Sequence, residues 1–217
     1  RKVVGRGQCS GLSKNPKLAK TLIDAIKEAV PDIPLSVKTR IGFNKIETEN
    51  WIGFLLEQNI DAITIHGRIA TRMSHDPANW EEIGKVVHMR NAIKSATVII
   101  GNGDIKSRQD ALEKVKTYGV DGVMIGRGMF TDLWIFNKNQ TAQTIPLEQK
   151  LKMLLYHIEL FEKTWGNTKD FNLLKKFYKV YINDYPGASQ FRQKLMEIHT
   201  FEETKKVLLD QLKITNY

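Results

Sequence analysis

Four short polar clusters in this sequence each follow a run of apolar residues: Lys38-Thr39-Arg40, His66-Gly67-Arg68, Asn102-Gly103-Asp104 and Gly126-Arg127-Gly128. One such cluster is weak evidence, because a lysine after a strand is more often a solvated loop residue and a lone histidine is more often structural. Four in succession, each at the same end of a strand, indicate a ligand site, since ligands bind at the carboxyl ends of parallel strands.

The last two clusters suit an anion. Glycines at a strand end let backbone N–H groups approach closely, and Arg127 adds a fixed positive fork. In (β/α)8 barrels the phosphate site is frequently built by the loops after the last two strands, so Gly103 and Gly126-Arg127-Gly128 would form a phosphate cup. The alternative is that these glycines only make tight turns.

Lys38 and His66 would project over the mouth of such a barrel. An ammonium group can contact an electron-rich ring oxygen or nitrogen, and a histidine can donate to the same ring. A flavin needs contacts of this kind if its reduced, anionic form is to be stabilised.

Alternating strand and helix signals place these clusters. Apolar runs predict four strands, at 33–37, 61–65, 97–100 and 122–125. Four helices are predicted before and between these strands. The first follows Asn15-Pro16 and has apolar residues at helical spacing, and the second covers 47–58. The third is capped near Asn79, and the fourth runs from Ser107 to Tyr118 and is ended by Gly119; the apolar residues of the first are Leu18, Leu22, Ile26 and Val30. This alternation predicts a parallel sheet with right-handed crossovers, with four βα units where a complete barrel has eight.

Strand signals stop after Lys138. A polar link over 139–146 leads into a helix from Leu147 to Phe161, and further helices are predicted over 170–182, 188–198 and 201–213. We therefore predict an α/β fold in which 1–140 form the carboxyl-terminal half of a (β/α)8 TIM barrel and 141–217 form an all-α domain.

Composition limits the classes of protein. The 217 residues carry 33 Lys+Arg against 24 Asp+Glu, a net charge of +9, and one cysteine, which excludes a disulfide framework. There is no apolar stretch long enough for a membrane span and no signal-peptide pattern, so we predict a cytoplasmic protein, and we predict no metal site. Residues 1–20 hold six basic residues and no acidic one. Such an arm is either a solvated segment or a contact for nucleic acid or phosphate.

Several of these motifs resemble the successive signatures of the tRNA-dihydrouridine synthases. The matching segments are Val37-Lys38-Thr39-Arg40-Ile41-Gly42, Ile65-His66-Gly67-Arg68, Asp76-Pro77-Ala78-Asn79-Trp80, Ile100-Gly101-Asn102-Gly103-Asp104-Ile105 and Met124-Ile125-Gly126-Arg127-Gly128. Looser matches to the family's tRNA-binding helices are Lys175-Lys176-Phe177-Tyr178, Tyr185-Pro186-Gly187-Ala188 and Phe191-Arg192.

The resemblance implies an FMN enzyme that reduces the C5–C6 bond of particular uridines in tRNA, with NADPH as reductant. The flavin-binding domain would be 1–140 and the tRNA-binding domain 141–217. By motif match, the isoalloxazine ring would contact Lys38 and His66, and the ribityl phosphate end would be held by Asn102, Gly103, Gly126 and Arg127. The flipped uridine and nearby phosphates would face Arg40 and Arg68.

The sequence departs from the family pattern at two places. The family's general acid is a cysteine in an Asn-x-Gly-Cys-Pro motif, which we expect upstream of Arg1, so no catalytic residue is assigned in this chain and the fragment alone is expected to lack turnover. Cys9 lies in the basic loop after that position and is interpreted as structural or incidental. Ser74 stands where many relatives carry a tyrosine beside the uracil. The resemblance therefore does not imply which uridine of the tRNA is modified.

Two other hypotheses stay open. One is a flavin barrel that reduces a small unsaturated substrate, as dihydroorotate or enoate oxidoreductases do, although such a substrate needs neither a basic arm nor a helical domain. The other is an inactive half-barrel that only binds RNA, which gives Lys38, His66 and Arg127 no purpose. The open sheet edges of a half-barrel also predict self-association.

Overall fold

The computed structural model describes residue 4 and residues 6–215, except for the side chains of residues 167, 214 and 215. Arg1 and Lys2 of the predicted basic arm lie outside the described residues. The chain divides into two compact units, Arg1–Gly128 and Met129–Tyr217.

The first unit alternates strands and helices, as predicted. Its strands are β1 (Ser36–Arg40), β2 (Ala62–His66), β3 (Val98–Asn102) and β4 (Gly122–Met124). Its α-helices are α1 (Pro16–Ala29), α2 (Gly53–Leu56), α3 (Trp80–Ala92) and α4 (Arg108–Tyr118). A 3₁₀ helix at Cys9–Lys14 precedes α1, a π-helical turn at Thr48–Ile52 leads into α2, and a 3₁₀ turn at Arg127–Phe130 follows β4.

The four strands form one parallel sheet in the order β1-β2-β3-β4. Odd-numbered side chains such as Ile63, Ile65 and Ile99 are fully buried in the core that the helices cover. Because side chains alternate along a strand, the even-numbered positions face the other side of the sheet. This four-stranded parallel sheet with its crossover helices confirms the predicted α/β fold class.

Local signals in the sequence set the ends of the helices. The side chain of Asn15 accepts a hydrogen bond from Leu18 N–H at the start of α1, Asn79 caps α3, and Ser107 caps α4. Gly119 ends α4 in the left-handed conformation at φ 68°, which glycine adopts without a steric penalty. These caps lie where the sequence predicts them.

The first strand begins later than predicted, at Ser36 instead of residue 33. The proline at position 34 has no N–H to give to a ladder, and the N–H of Leu35 donates to the carboxylate of Asp61 at 2.7 Å. Pairing with β2 starts only at Ser36, opposite Ala62. The other three strands begin within one residue of their predicted positions.

Two predicted helices differ in detail. The apolar residues at helical spacing in and just after α1 are predicted to face the core, but they are 39–45 % exposed: Leu18, Leu22, Ile26 and Val30. The helix instead buries Ala19 and Ile23. The helix predicted over 47–58 is a π-helical turn followed by the four residues of α2, although its inward residues Trp51 and Leu55 are buried as expected.

The second unit is helical. Its α-helices are α5 (Leu147–Trp165), α6 (Asn172–Lys175), α7 (Tyr178–Tyr181), α8 (Ala188–Glu197) and α9 (Phe201–Thr215), with a 3₁₀ turn at Gly166–Thr168. The single helix predicted over 170–182 is therefore two short ones. Leu151, Tyr178 and Leu208 are among the fully buried residues of its core.

The division between the units falls after Gly128, whereas the sequence predicts it after residue 140. The intervening segment packs with the helices: Leu133 contacts their apolar core, and the carboxylate of Asp132 accepts the N–H of Ala142 at 3.1 Å. The polar residues 139–146 therefore belong to the second unit, at the end of the segment that leads from Met129 to its first long helix. Among the described residues, no helix has the length and apolarity to cross a membrane.

Candidate functional site

Most of the predicted cofactor and substrate residues meet at the carboxyl ends of the strands. Arg40 is the register partner of His66, and His66 is the register partner of Asn102. Lys38 precedes Arg40 by two positions, so the four side chains share the even-numbered face of the sheet. The sheet therefore assembles Lys38, Arg40, His66 and Asn102 into one group, which we call the polar row.

The polar row is strongly cationic on its β1 side. Lost solvation, and then the charge of Arg40, lowers the pKa of Lys38. Lost solvation also lowers the pKa of Arg40, with a further contribution from Arg68. One nitrogen of Arg40 (Nη1) donates to the carbonyls of Ile69 at 3.1 Å and Met73 at 2.9 Å, so this arginine holds the segment after β2 at the site.

His66 is neutral at physiological pH. Burial is the largest cause, and the charges of Arg40, Lys38 and Arg68 add to it, so the pKa of His66 is lowered to about 4 although Asp104 opposes the shift. The imidazole Nε2 lies 3.0 Å from Nη1 of Arg68. A neutral imidazole beside several cations can offer one N–H as a hydrogen-bond donor without adding positive charge.

Arg68 is only 5 % exposed, and the protein itself occupies its guanidinium. Nη2 donates to both carboxylate oxygens of Asp104, at 2.6 and 2.5 Å, Nη1 contacts His66, and Nε donates to the carbonyl of Asp76. The resemblance implies that Arg68 faces the substrate. In this structure each of its three nitrogens has a protein partner, and it supports the site from within.

Asp104 belongs to this site, although its position in the sequence predicts no role for it. Burial acts to raise the pKa of its carboxyl group, but hydrogen bonds from Arg68 and from the N–H of Ala78, together with the charges of Arg68 and Arg127, lower it overall. The signal was available in the sequence, because Asp104 is the one acidic residue in the four polar clusters.

Two of the three glycines in the predicted phosphate cup, Gly103 and Gly126, have different surroundings. Gly103 has φ 134°, and a Cβ there would lie 2.5 Å from the Cβ of Ala78 and 3.3 Å from Cδ2 of His66, so its small size serves close packing. Gly126 is exposed with no atom within 4 Å of such a Cβ, and Arg127 beside it is exposed. Nη2 of Arg127 lies 3.5 Å from the carboxylate of Asp104, and the rest of this exposed guanidinium, beside open backbone, can bind an anion.

The remaining donors suit a phosphate-bearing aromatic ligand. Nδ2 of Asn102 donates to the carbonyl of Met124 at 2.8 Å and so joins the ends of β3 and β4. Two cations, a neutral imidazole, an amide and the exposed Gly126-Arg127 segment can together contact an electron-rich ring and an anionic group. No group of His, Cys, Asp and Glu that could hold a metal occurs among the described residues.

Cys9 lies at the outer strand of the sheet. It is exposed, and with Lys38 and Arg40 it lines a groove of about 530 Å³ alongside β1. The groove continues over the apolar side chains of Leu22 and Ile26. β1 is an outer strand of the sheet, since it pairs only with β2 among the described strands.

The family-like motif in the second unit is mostly core. Lys175 is 8 % exposed, and its Nζ donates to the carbonyl of Met196 at 2.7 Å. Tyr178 is fully buried, whereas Lys176 is exposed with its Nζ 4.9 Å from the ring centre of Phe177. Only part of this motif is therefore available to a ligand.

Comparison with known proteins gives one family. A family model described as dihydrouridine synthase matches residues 1–216. The chain is 36 % identical over 208 residues to a probable tRNA-dihydrouridine synthase of Staphylococcus aureus (strain MRSA252), an alignment that covers 95 % of this chain and 62 % of the relative. It is 34 % identical over 210 residues to probable tRNA-dihydrouridine synthase 2 of Bacillus subtilis (strain 168), covering 96 % and 63 %.

The chain therefore spans a little under two thirds of the length of these relatives. The match includes the strands that carry the polar row and the helices of the second unit, since it extends over almost all of the chain. The chain belongs to the dihydrouridine synthase family.

Proposed function

We propose that this chain supplies the flavin-facing and tRNA-facing parts of an FMN-dependent enzyme that reduces uridine to 5,6-dihydrouridine in tRNA, with NADPH as reductant. The observation that carries the proposal is the polar row, in which Lys38, Arg40 and His66 share one face at the carboxyl ends of the strands. Family membership supports the reaction, and the donor set supports the cofactor.

Six residues would hold FMN. Lys38 and His66 would contact the isoalloxazine ring, and Asn102, Gly103, Gly126 and Arg127 would hold the ribityl phosphate end. When bound and reduced by NADPH, FMN would supply the two electrons needed to reduce the C5–C6 bond. The exposed guanidinium of Arg127 and the open backbone of Gly126 are the groups that best suit the phosphate.

The protein's own contribution is mainly electrostatic. Lys38 and Arg40 make the β1 side of the site positive, which stabilises negative charge on a ring nearby. His66 can donate one N–H without adding charge, because it is neutral at pH 7. Arg40 remains the candidate for contact with the flipped uridine or its phosphates, whereas Arg68 acts through the residues it holds.

Basic residues in both units would bind tRNA. Within the described part of the arm, Lys20 pairs with Asp24 at 2.8 Å and Nζ of Lys14 lies 4.5 Å from the ring centre of Phe43. The exposed Lys17 is better placed for phosphate contacts, and the exposed Lys176 is the candidate in the second unit although its Nζ lies 4.9 Å from the ring centre of Phe177. Binding through such contacts weakens steeply as salt rises.

The test uses the complete product of the gene that encodes this chain. We expect the purified protein to carry FMN by its visible absorption, and a strain without the gene to lose dihydrouridine from a nucleoside digest of its tRNA. Restoration by the wild-type gene but not by Lys38→Ala, with Lys116→Ala on the exposed side of α4 as matched control, would support the assignment. Unchanged dihydrouridine in the deletion strain would contradict the proposed function.

The two other hypotheses predict different outcomes. A flavin enzyme for a small substrate would carry FMN but would not retard tRNA on a gel. A protein that only binds RNA would retard tRNA, and the effect would fade with salt, but it would carry no flavin.

Self-association through the outer strands remains a prediction. Among the described strands, β1 and β4 each have one hydrogen-bonded neighbour, and the apolar row of α1 beside β1 is exposed. We expect the 217-residue chain to form dimers or larger species, measured by light scattering after gel filtration. A monomer at micromolar concentration would contradict this expectation.

A further inference from the structure

Asp104 connects segments that follow three different strands. It lies just after β3, and its carboxylate binds Arg68 and the N–H of Ala78, which both follow β2. The same carboxylate lies 3.5 Å from Nη2 of Arg127, after β4. Its backbone adopts the left-handed conformation at φ 55°, which is uncommon for a residue other than glycine. One side chain therefore fixes the relative positions of these segments.

Arg68, which Asp104 holds in place, contacts His66 in turn. A guanidinium has only donors, so the 3.0 Å contact between Nη1 of Arg68 and Nε2 of His66 is a hydrogen bond that Nε2 accepts. An accepting Nε2 carries no proton. The single proton of the neutral ring is then on Nδ1, because the bond made by one ring nitrogen decides the state of the other.

We propose that Asp104 is a positioning residue which, through Arg68, holds His66 as the neutral tautomer with its proton on Nδ1. His66 is thereby a fixed N–H donor whose direction is set by a buried ion pair. That this donor serves a flavin ring rests on the proposed function, whereas the tautomer itself does not.

The other charges around His66 favour the same state. Lys38 and Arg40 from β1 and Arg68 after β2 are cations, and Asp104 after β3 is the anion that faces it. Burial and the three cations disfavour a doubly protonated ring. Protonation of Nε2 would also place its N–H against a guanidinium that can only donate.

The tautomer can be measured without cofactor or substrate. Protein labelled with ¹⁵N-histidine gives separate long-range ¹H–¹⁵N patterns for the two neutral tautomers and the cation. Among the five histidines, the His66 signal is identified by its loss in His66→Gln. In the wild type at pH 7 we expect the Nδ1–H pattern. In Asp104→Asn we expect the Nε2–H form to become the major one, since Arg68 is no longer held against the ring.

Asp121→Asn is the matched control. Asp121 also binds an arginine, Arg90, at 2.7 Å, but at the amino ends of the strands. We expect the His66 pattern to be unchanged in this variant. An Nε2–H pattern in the wild type, or an Nδ1–H pattern that persists in Asp104→Asn, would overturn the inference.

If Asp104→Asn does not fold, the wild-type spectrum still decides the tautomer, and Arg68→Met removes the donor to Nε2 while leaving Asp104 in place. A wild-type protein that shows the Nδ1–H pattern but binds no FMN would support the inference and contradict the proposed function. We expect FMN binding by Asp104→Asn to be weakened about tenfold, equivalent to about 1.4 kcal/mol.

Discussion

The two ends of the sheet carry chemically equivalent arginine–aspartate pairs with different surroundings. At the carboxyl ends, Asp104 accepts from Arg68 at 2.5 Å and from a backbone N–H, that of Ala78. At the amino ends, Asp121 accepts from Arg90 at 2.7 Å and from the backbone N–H of Ile99 at 2.7 Å. Each carboxylate therefore joins a largely buried arginine to a backbone amide, and Asp104 also lies 3.5 Å from Nη2 of the exposed Arg127.

The difference lies in what the arginine contacts next. Arg90 also donates to the carbonyl of Thr97 and the side chain of Asn91, so that pair fastens the end of α3 to the start of β3. Arg68 instead reaches a ring nitrogen of His66 in the polar row. One arginine–aspartate pair thus joins a helix to a strand at the amino ends of the sheet. The other, at the carboxyl ends, sets which nitrogen of a site histidine carries the proton.

The largest expected difference between the two ends is in stability. Arg68→Ala would leave a carboxylate and a histidine without their buried partner, and we expect it to lower the free energy of unfolding by about 4 kcal/mol. Arg90 is somewhat more exposed and its partner more solvated, so we expect Arg90→Ala to cost about 2 kcal/mol. Urea unfolding followed by circular dichroism measures both. Equal losses would show that the two pairs are equivalent.

Glycines at the two ends give a second comparison. Gly103, at the carboxyl end, has φ 134° and no room for a Cβ, so we expect Gly103→Ala to cost about 3 kcal/mol. Gly119, at the amino end, has φ 68° and its nearest atom 3.5 Å from a Cβ, so Gly119→Ala should cost about 1 kcal/mol. The same unfolding assay applies. A larger loss for Gly119→Ala would contradict the close packing described around His66.

These features differ in how far the sequence predicts them. Asn79, Ser107 and Gly119 are predicted because a cap depends on a few neighbouring residues. The polar row follows from strand ends in a parallel sheet. The start of β1 is predicted too early, because Pro34 and the position of β2 decide where pairing begins. The ion pair of Arg68 and Asp104 is not predicted, since it joins residues far apart in sequence through side-chain geometry.

A smaller effect should appear in the pH dependence of stability. The folded protein keeps His66 neutral down to about pH 4, whereas in the unfolded chain the same residue gains a proton near pH 6.5. The unfolded state therefore binds more protons between these values, and stability falls as the pH is lowered through that window. Because His66 is only half-buried, we expect a loss of about 1 kcal/mol after solvent screening.

His66→Gln should reduce this dependence between pH 6.5 and pH 4, and the part that remains is expected to include His157, whose pKa is also lowered by burial. The exposed His88 on α3 provides the control, and His88→Gln should leave the dependence in place. Thermal unfolding over this pH range measures both variants. A wild-type stability that rises on acidification through the window would contradict the assigned state of His66.

The most direct test of the central claim is FMN affinity in the complete gene product, measured by titration for Asp104→Asn and Asp121→Asn. If the carboxyl ends of the strands form the flavin site and Asp104 organises it, Asp104→Asn binds FMN about tenfold more weakly than the wild type. Asp121→Asn, which alters the equivalent pair at the other end, then stays within about twofold of the wild type. Equal weakening in the two variants, or unchanged affinity in Asp104→Asn, would contradict the account.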